Sequence, residues 1–183
     1  MHYNGSQSKF PLLQPFFMQT GELMSVKEYL STSFRPDCDY VDGEVRDRNM
    51  GEYDHARLQG AVFAFLYERR KEWGMLVVPE QRVQVSPTRF RIPDVCVIRA
   101  DRPPEQIFTT PPFICIEILS KDDRLSEMQE RVKDYLNFGV PHVWILNRCT
   151  RTAYRCTPEG LFETSELHTN DPDIVLPLTE LFE

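Results

Sequence analysis

The chain has 183 residues, 41% of them hydrophobic and 27% charged, which fits one globular domain with a core of its own. No apolar run approaches the roughly 20 residues that a membrane span needs. A formal net charge of -7 argues against broad coating of nucleic acid, although 21 Lys and Arg leave material for a local basic groove.

Residues 1–23 include the apolar stretch FPLLQPFFM, interrupted by Pro11 and Pro15. It has no basic segment before it and no clear cleavage site after it, so it does not read as a signal peptide. The expected organisation is an N-terminal arm over 1–23 and one domain over 24–183. MSVKEYL then predicts a short helix, with Ser25 and Glu28 at capping-box spacing. CDYVDGEV predicts a hairpin turning at Asp42-Gly43. A long helix is expected from about His55 to Trp73, capped by Asp54 and ended by Gly74. Its apolar face is Leu58, Val62, Phe65 and Leu66.

Residues 75–85 read as a strand, 86–89 as a turn and 89–98 as the returning strand. After a Pro-rich loop comes FICIEILS, a strand. A second long helix follows, capped by Asp122 or Asp123 and closed by Gly139, with Leu125, Met128, Val132, Tyr135 and Leu136 as its apolar face. HVWILN is a strand, and a last hairpin turns around Pro158-Glu159-Gly160. The order implies an α/β (α+β) domain with a mixed sheet, in which 113–147 is long enough for a parallel crossover. The five cysteines are odd in number and form no C-x-x-C pair, so neither a disulfide framework nor a zinc site is expected, and a cytoplasmic location is.

Glu117 sits among the aliphatic residues of FICIEILS, where an uncompensated carboxylate costs several kcal/mol. Alternation sets Ile114, Ile116 and Ile118 on one face and Cys115, Glu117 and Leu119 on the other. In IPDVCVI it sets Asp94 on a face with Cys96 and Ile98. Two acids on neighbouring strands raise each other's pKa or demand a cation, and a divalent metal with oxygen ligands meets that demand. An arginine partner is the competing explanation, with Arg82, Arg89 and Arg91 near in sequence.

YVDGEV (40–45), His55 opening a helix, RIPDVCVI (91–98), CIEILS (115–120) and YLNFGVPHVWILN (135–147) together resemble a large bacterial family described as putative restriction endonucleases, with the PD-(D/E)XK fold. The resemblance runs from about Met24 to Glu183. It implies a restriction endonuclease-like core: a central mixed β-sheet flanked by helices, with additional hairpins. It also implies a Mg²⁺- or Mn²⁺-dependent endonuclease acting on DNA. Asp94 and Glu117 would be the catalytic and metal-holding acids.

The motif's lysine position is occupied by Leu119. The family displaces that lysine onto the following helix, where this chain has Arg131, with Lys133 and Lys121 nearby. Arg131 can neutralise a phosphate but cannot act as a base; a pair with Glu127 is its alternative role. Glu44, His55 and Gln81 are possible accessory residues. Glu44 reads equally as a solvent residue beside a turn, and His55 as a polar residue of a helix start. A homodimer is expected because two sites suit two strands. The alternative is a nuclease-fold module that binds nucleic acid or a protein partner without turnover.

Overall fold

The structure, a computed structural model, describes residues 23–48, 52–103, 105–121 and 123–182. Residues 1–22 of the expected arm over 1–23, and the capping role of Asp122, lie outside the described residues. Helix α1 is Val26–Ser31, and its capping box forms as read: the Ser25 hydroxyl accepts from the Glu28 N–H while the Glu28 carboxylate accepts from the Ser25 N–H. Strands β1 (Asp39–Val41) and β2 (Glu44–Arg46) make the expected hairpin. Asp42 and Gly43 both have positive φ (51° and 102°), as the tight hairpin turn requires.

Helix α2 is Tyr53–Arg69, shifted from the expected span at both ends. Its N-cap is Glu52, with no side-chain capping bond, so Asp54 lies inside the first turn instead of capping it. A carboxylate there is favoured by the helix dipole.

The two long strands expected over 75–85 and 89–98 are each broken in two. Strand β3 (Met75–Pro79) pairs antiparallel with β6 (Val95–Arg99), while β4 (Val83–Ser86) pairs with β5 (Arg89–Arg91). The break follows Pro79, where Glu80 takes φ 49°, and falls opposite Ile92-Pro93-Asp94 in the returning chain. Proline supplies no ladder donor, so the hairpin bends there. Its outer half joins a four-stranded sheet, β2-β1-β5-β4, and its inner half joins the main sheet. Asp94 therefore stands at the bend, one residue before β6, and not within a strand.

Strand β7 (Ile114–Leu119) pairs antiparallel with β6 and parallel with β8 (His142–Asn147); helix α3 (Leu125–Phe138) is the crossover between them. Gly139, at φ 96°, closes α3 as read, while the N-cap is Arg124 and not Asp123. Leu125, expected on the apolar face, is exposed. Strands β9 (Thr152–Thr157) and β10 (Gly160–Thr164) complete a six-stranded mixed sheet ordered β10-β9-β8-β7-β6-β3. A small pair not foreseen in the sequence, β11 (Glu166–His168) with β12 (Val175–Pro177), follows.

The alternation read in β7 divides the core. Ile114, Ile116 and Ile118 pack with Leu58, Val62 and Leu66 of α2. Cys115 packs with Cys96 and with Met128, Val132 and Tyr135 of α3. The sheet is thus covered by α2 on one face and α3 on the other, and Glu117 faces α3. All five cysteines are free thiols, and only Cys149 is exposed. No helix among the described residues is long and apolar enough to cross a membrane.

Candidate active site

The register Val95↔Ile116, continued by one residue, sets Asp94 opposite Glu117. Both acids are 2% exposed. Asp94 Oδ2 accepts the Ile118 N–H at 2.7 Å, so the backbone of β7 fixes the carboxylate beside Glu117. Glu117 Oε1 accepts the Tyr135 hydroxyl at 2.6 Å. The two acids meet at the C-terminal end of β7, between the first turn of α2 and the middle of α3.

Cations lie against both. Arg48 Nη2 donates to Asp94 Oδ1 at 2.7 Å, and His55 Nε2 stands 3.4 Å from Asp94 Oδ2. Arg131 Nη1 is 3.5 Å from Glu117 Oε2, while its Nε and Nη2 face Asp39 and Asp123 at 3.6 and 3.8 Å. An arginine partner for each acid is therefore realised, although by Arg48 and Arg131. Arg82, Arg89 and Arg91 pair elsewhere, with Asp37, Asp42 and Asp39 among others. Glu127 stands by Arg124, so Arg131 is not used in the alternative helix pair.

Burial pushes the Glu117 pKa up to about 7; Asp94 adds to the rise, and Arg131, Arg48 and the Tyr135 hydrogen bond oppose it. Burial alone would lower the His55 pKa, but the Asp94 carboxylate outweighs it and the net direction is upward. Tyr135 is raised well above the ordinary phenol value by burial and by the neighbouring Glu117.

Of the residues singled out in the sequence, the structure brings Asp94, Glu117, Arg131 and His55 together. It does not bring Lys133, Glu44 or Gln81. Lys133 is exposed, two positions and so about 200° around the helix from Arg131. Glu44 is solvent-facing on β2 and bonds Arg46. Gln81 donates to the carbonyls of Arg82 and Gln106. Lys121 pairs with Glu52 at 3.1 Å, away from the acids.

Arg48, Asp39, Asp123 and the hydroxyl of Tyr135 were missed. Tyr135 stands four residues after Arg131, a spacing that puts both on one helix face, and that signal was available. Arg48 and Asp39 reach the site only through the pairing of β1 with β5, which no local pattern announces.

Asp94 and Glu117 offer hard oxygen ligands, and among the described residues no group of three His, Cys, Asp or Glu is arranged to hold a metal ion. Two carboxylates fit Mg²⁺, which is commonly bound by one or two acids and completes its shell with waters and substrate phosphate. The buried Ser120 hydroxyl, just past the end of β7, has no hydrogen-bond partner. A metal ion entering the pair has to move Arg48 and Arg131 from the oxygens they now face.

No curated protein matches the chain. Among solved structures, a putative nuclease of DUF820 from Anabaena variabilis ATCC 29413 has a similar fold. Its TM-score is 0.75 at 19% identity, over 87% of this chain and 97% of that one. Residues 26–183 match the model of the Uma2 family, described as putative restriction endonuclease, so the buried acid pair at the end of β7 stands in a chain that belongs to the Uma2 family.

Proposed function

We propose that the protein is a metal-dependent endonuclease that hydrolyses phosphodiester bonds in DNA, with Asp94 and Glu117 holding the metal. The observation that carries this reading is two carboxylates, both 2% exposed, one at the bend just before β6 and bonded to the β7 backbone, the other on β7. Like charges so placed disfavour joint ionisation unless a cation joins them. Mg²⁺ or Mn²⁺, when bound, would position water and stabilise charge on the attacked phosphate.

The chain's own residues supply the rest. The Ile118 N–H and His55 orient Asp94, and Tyr135 orients Glu117. Arg131, its side chain 12% exposed, is placed to meet a phosphate oxygen in exchange for Glu117. Its guanidinium stays charged, so it stabilises charge and moves no proton. A main-chain carbonyl of Ile118 or Leu119 adds an oxygen at the strand end. A homodimer, giving one site per DNA strand, and a cytoplasmic location complete the reading.

The test is cleavage of supercoiled plasmid in Mg²⁺ and in Mn²⁺ by wild type, Asp94→Asn and Glu117→Gln. Nicking or linearisation by wild type, reduced at least 100-fold in both variants, is expected. Variants as active as wild type, or a folded wild type inert in both metals, would remove the proposal.

A second reading has its own observation: Leu119 fills the motif's lysine position, while Arg48 and Arg131 already neutralise the acids. A protein of that kind binds nucleic acid or a partner without turnover. It would bind a DNA duplex equally well as wild type and as Glu117→Gln.

A further inference from the structure

Asp39 is a buried carboxylate near the acid pair, and the chemistry above gives it no part. It is 3% exposed and stands on β1, in the outer sheet. Its Oδ1 accepts the Ile92 N–H at 3.1 Å, two residues before Asp94, so it is fixed to the bend that presents that acid. Its Oδ2 accepts Arg91 Nη1 at 3.0 Å and faces Arg131 Nε at 3.6 Å. A carboxylate offers about four lone-pair sites, so these two bonds leave Asp39 able to accept a further donor.

Arg131 is held unlike the other arginines around the acids. Arg48 donates to Asp94 at 2.7 Å, and Arg91 to Asp134 at 2.8 Å. Arg131 stands 3.5, 3.6 and 3.8 Å from Glu117, Asp39 and Asp123, beyond the ~2.7–3.2 Å of an ordinary N–H···O bond. Its guanidinium is placed among three acids and bonded closely to none of the three. A cleft of about 270 Å³ lies against it, lined also by Asp39, Arg46, Asp47, Arg91 and Glu127. Asp39 borders that space and Glu117 does not, so a guanidinium that leaves Glu117 on this side meets Asp39.

We infer that Asp39 is a positioning residue of the metal-holding site: it is the seat to which Arg131 turns when Glu117 is given over to a divalent ion. The inference rests on the nuclease reading and deepens it. A divalent ion and the Arg131 guanidinium are like charges that compete for the Glu117 oxygens. A second buried carboxylate, already 3.6 Å from Nε, lets the guanidinium give up Glu117 without being left uncompensated. Arg131 then stays charged beside the site, able to meet a phosphate oxygen. The bond from Ile92 keeps Asp39 at a set distance from Asp94 while Arg131 moves.

The experiment is calorimetric titration of Mn²⁺, without DNA, into the full chain as wild type, Asp39→Asn, Arg131→Gln and the double variant. Asparagine keeps an oxygen for the Ile92 N–H and removes the charge. Thermal unfolding shows whether each variant is folded. Asp39→Asn is expected to weaken Mn²⁺ binding about 10-fold, the lower end of what outer-shell partners of metal ligands commonly cost. In the Arg131→Gln background no guanidinium needs a second seat, and the same change should cost less than about twofold. A charge acting on the ion directly, or a loss of packing, would weaken binding equally in both backgrounds.

The wild-type chain gives an independent reading. The Arg131 Nε–H resonance, assigned as the ¹⁵N-edited signal absent from Arg131→Lys, is expected to move downfield on saturation with Mg²⁺, as its 3.6 Å contact with Asp39 shortens to a hydrogen bond. Where Asp39→Asn does not fold, this signal decides alone. Equal losses in both backgrounds, or an Nε–H signal that Mg²⁺ leaves in place, overturn the role of Asp39 and leave the nuclease reading standing. Wild type that takes up no Mn²⁺ overturns both.

Discussion

Tyr135 of α3 donates its hydroxyl hydrogen bond to Glu117 of β7 at 2.6 Å, and both side chains are out of solvent. The bond ties the helix to the strand at the residue that is hardest to keep ionised. Tyr135→Phe would leave one carboxylate oxygen buried without its donor, at a cost of about 1–3 kcal/mol. Because the bond lowers the Glu117 pKa, its loss moves that pKa further up. Denaturant unfolding at pH 8 should show the lost stability, and Mn²⁺ titration should show weaker binding. A variant that binds Mn²⁺ as wild type does would mean that Tyr135 serves packing alone.

The pH dependence of stability has a definite sign. The folded Glu117 pKa, about 7, lies above the ordinary value of 4.5 because burial disfavours the charge. The contribution is fully present below about pH 4.5 and is lost as pH rises through 7. The slope approaches about 1.4 kcal/mol per pH unit, and the total is on the order of 3 kcal/mol. His55, also raised, acts in the same direction over the upper part of this range. Glu117→Gln keeps an acceptor for Tyr135 and removes the titration. Metal-free Glu117→Gln should therefore lose less stability than wild type between pH 5 and 8, and should be the more stable of the two at pH 8. Parallel stability curves for the two proteins would contradict the raised pKa.

Much of this arrangement was legible in the sequence, and the boundary follows physical range. Alternation in β7 set Glu117 on the face opposite Ile116, and the two core clusters have that division. The turn at Asp42-Gly43 and the stop at Gly139 were readable because each depends on a few adjacent dihedral angles. The bend at Pro79 and Pro93 was not read, although both prolines are visible. A proline weakens a strand locally, whereas the sheet that each half joins is decided by distant partners. The same limit hid Arg48, which meets Asp94 across 46 positions of sequence. Arg131 was found through the family resemblance, but its neighbour Asp39 was not, because Asp39 comes from the other sheet.

Arg48 is held against Asp94 at 2.7 Å with both side chains almost fully buried. Removing one member of a buried pair commonly costs 3–5 kcal/mol, because the other charge is left uncompensated. Arg48→Gln should therefore be destabilised by that order without metal. If a divalent ion takes the place of the guanidinium, Mn²⁺ should restore part of the loss. Its shift of the melting temperature should then be larger in Arg48→Gln than in wild type. Differential scanning calorimetry with and without Mn²⁺ makes the comparison. An equal or smaller shift in the variant would mean that Arg48 and the ion do not compete for Asp94.

Arg131 tests whether charge or proton transfer is asked of the motif's displaced position. Its guanidinium lies between Glu117, Asp39 and Asp123, so Arg131→Ala leaves three acids without the cation they share. Arg131→Ala should lose plasmid cleavage by at least about 100-fold, the scale expected when a preorganised charge is removed from a transition state, and should unfold more easily than wild type. Arg131→Lys places an ammonium on the same helix face, retains the charge and adds a group able to lose a proton. If the position supplies charge alone, Arg131→Lys should cleave at a rate within about tenfold of wild type and keep the same pH profile. If a base is wanted there and arginine withholds it, Arg131→Lys should exceed wild type, most clearly at high pH where lysine deprotonates. Single-turnover rates from pH 6 to 9 separate the two outcomes. An Arg131→Lys variant as inactive as Arg131→Ala would show instead that the site needs the guanidinium's fork between Glu117 and Asp39.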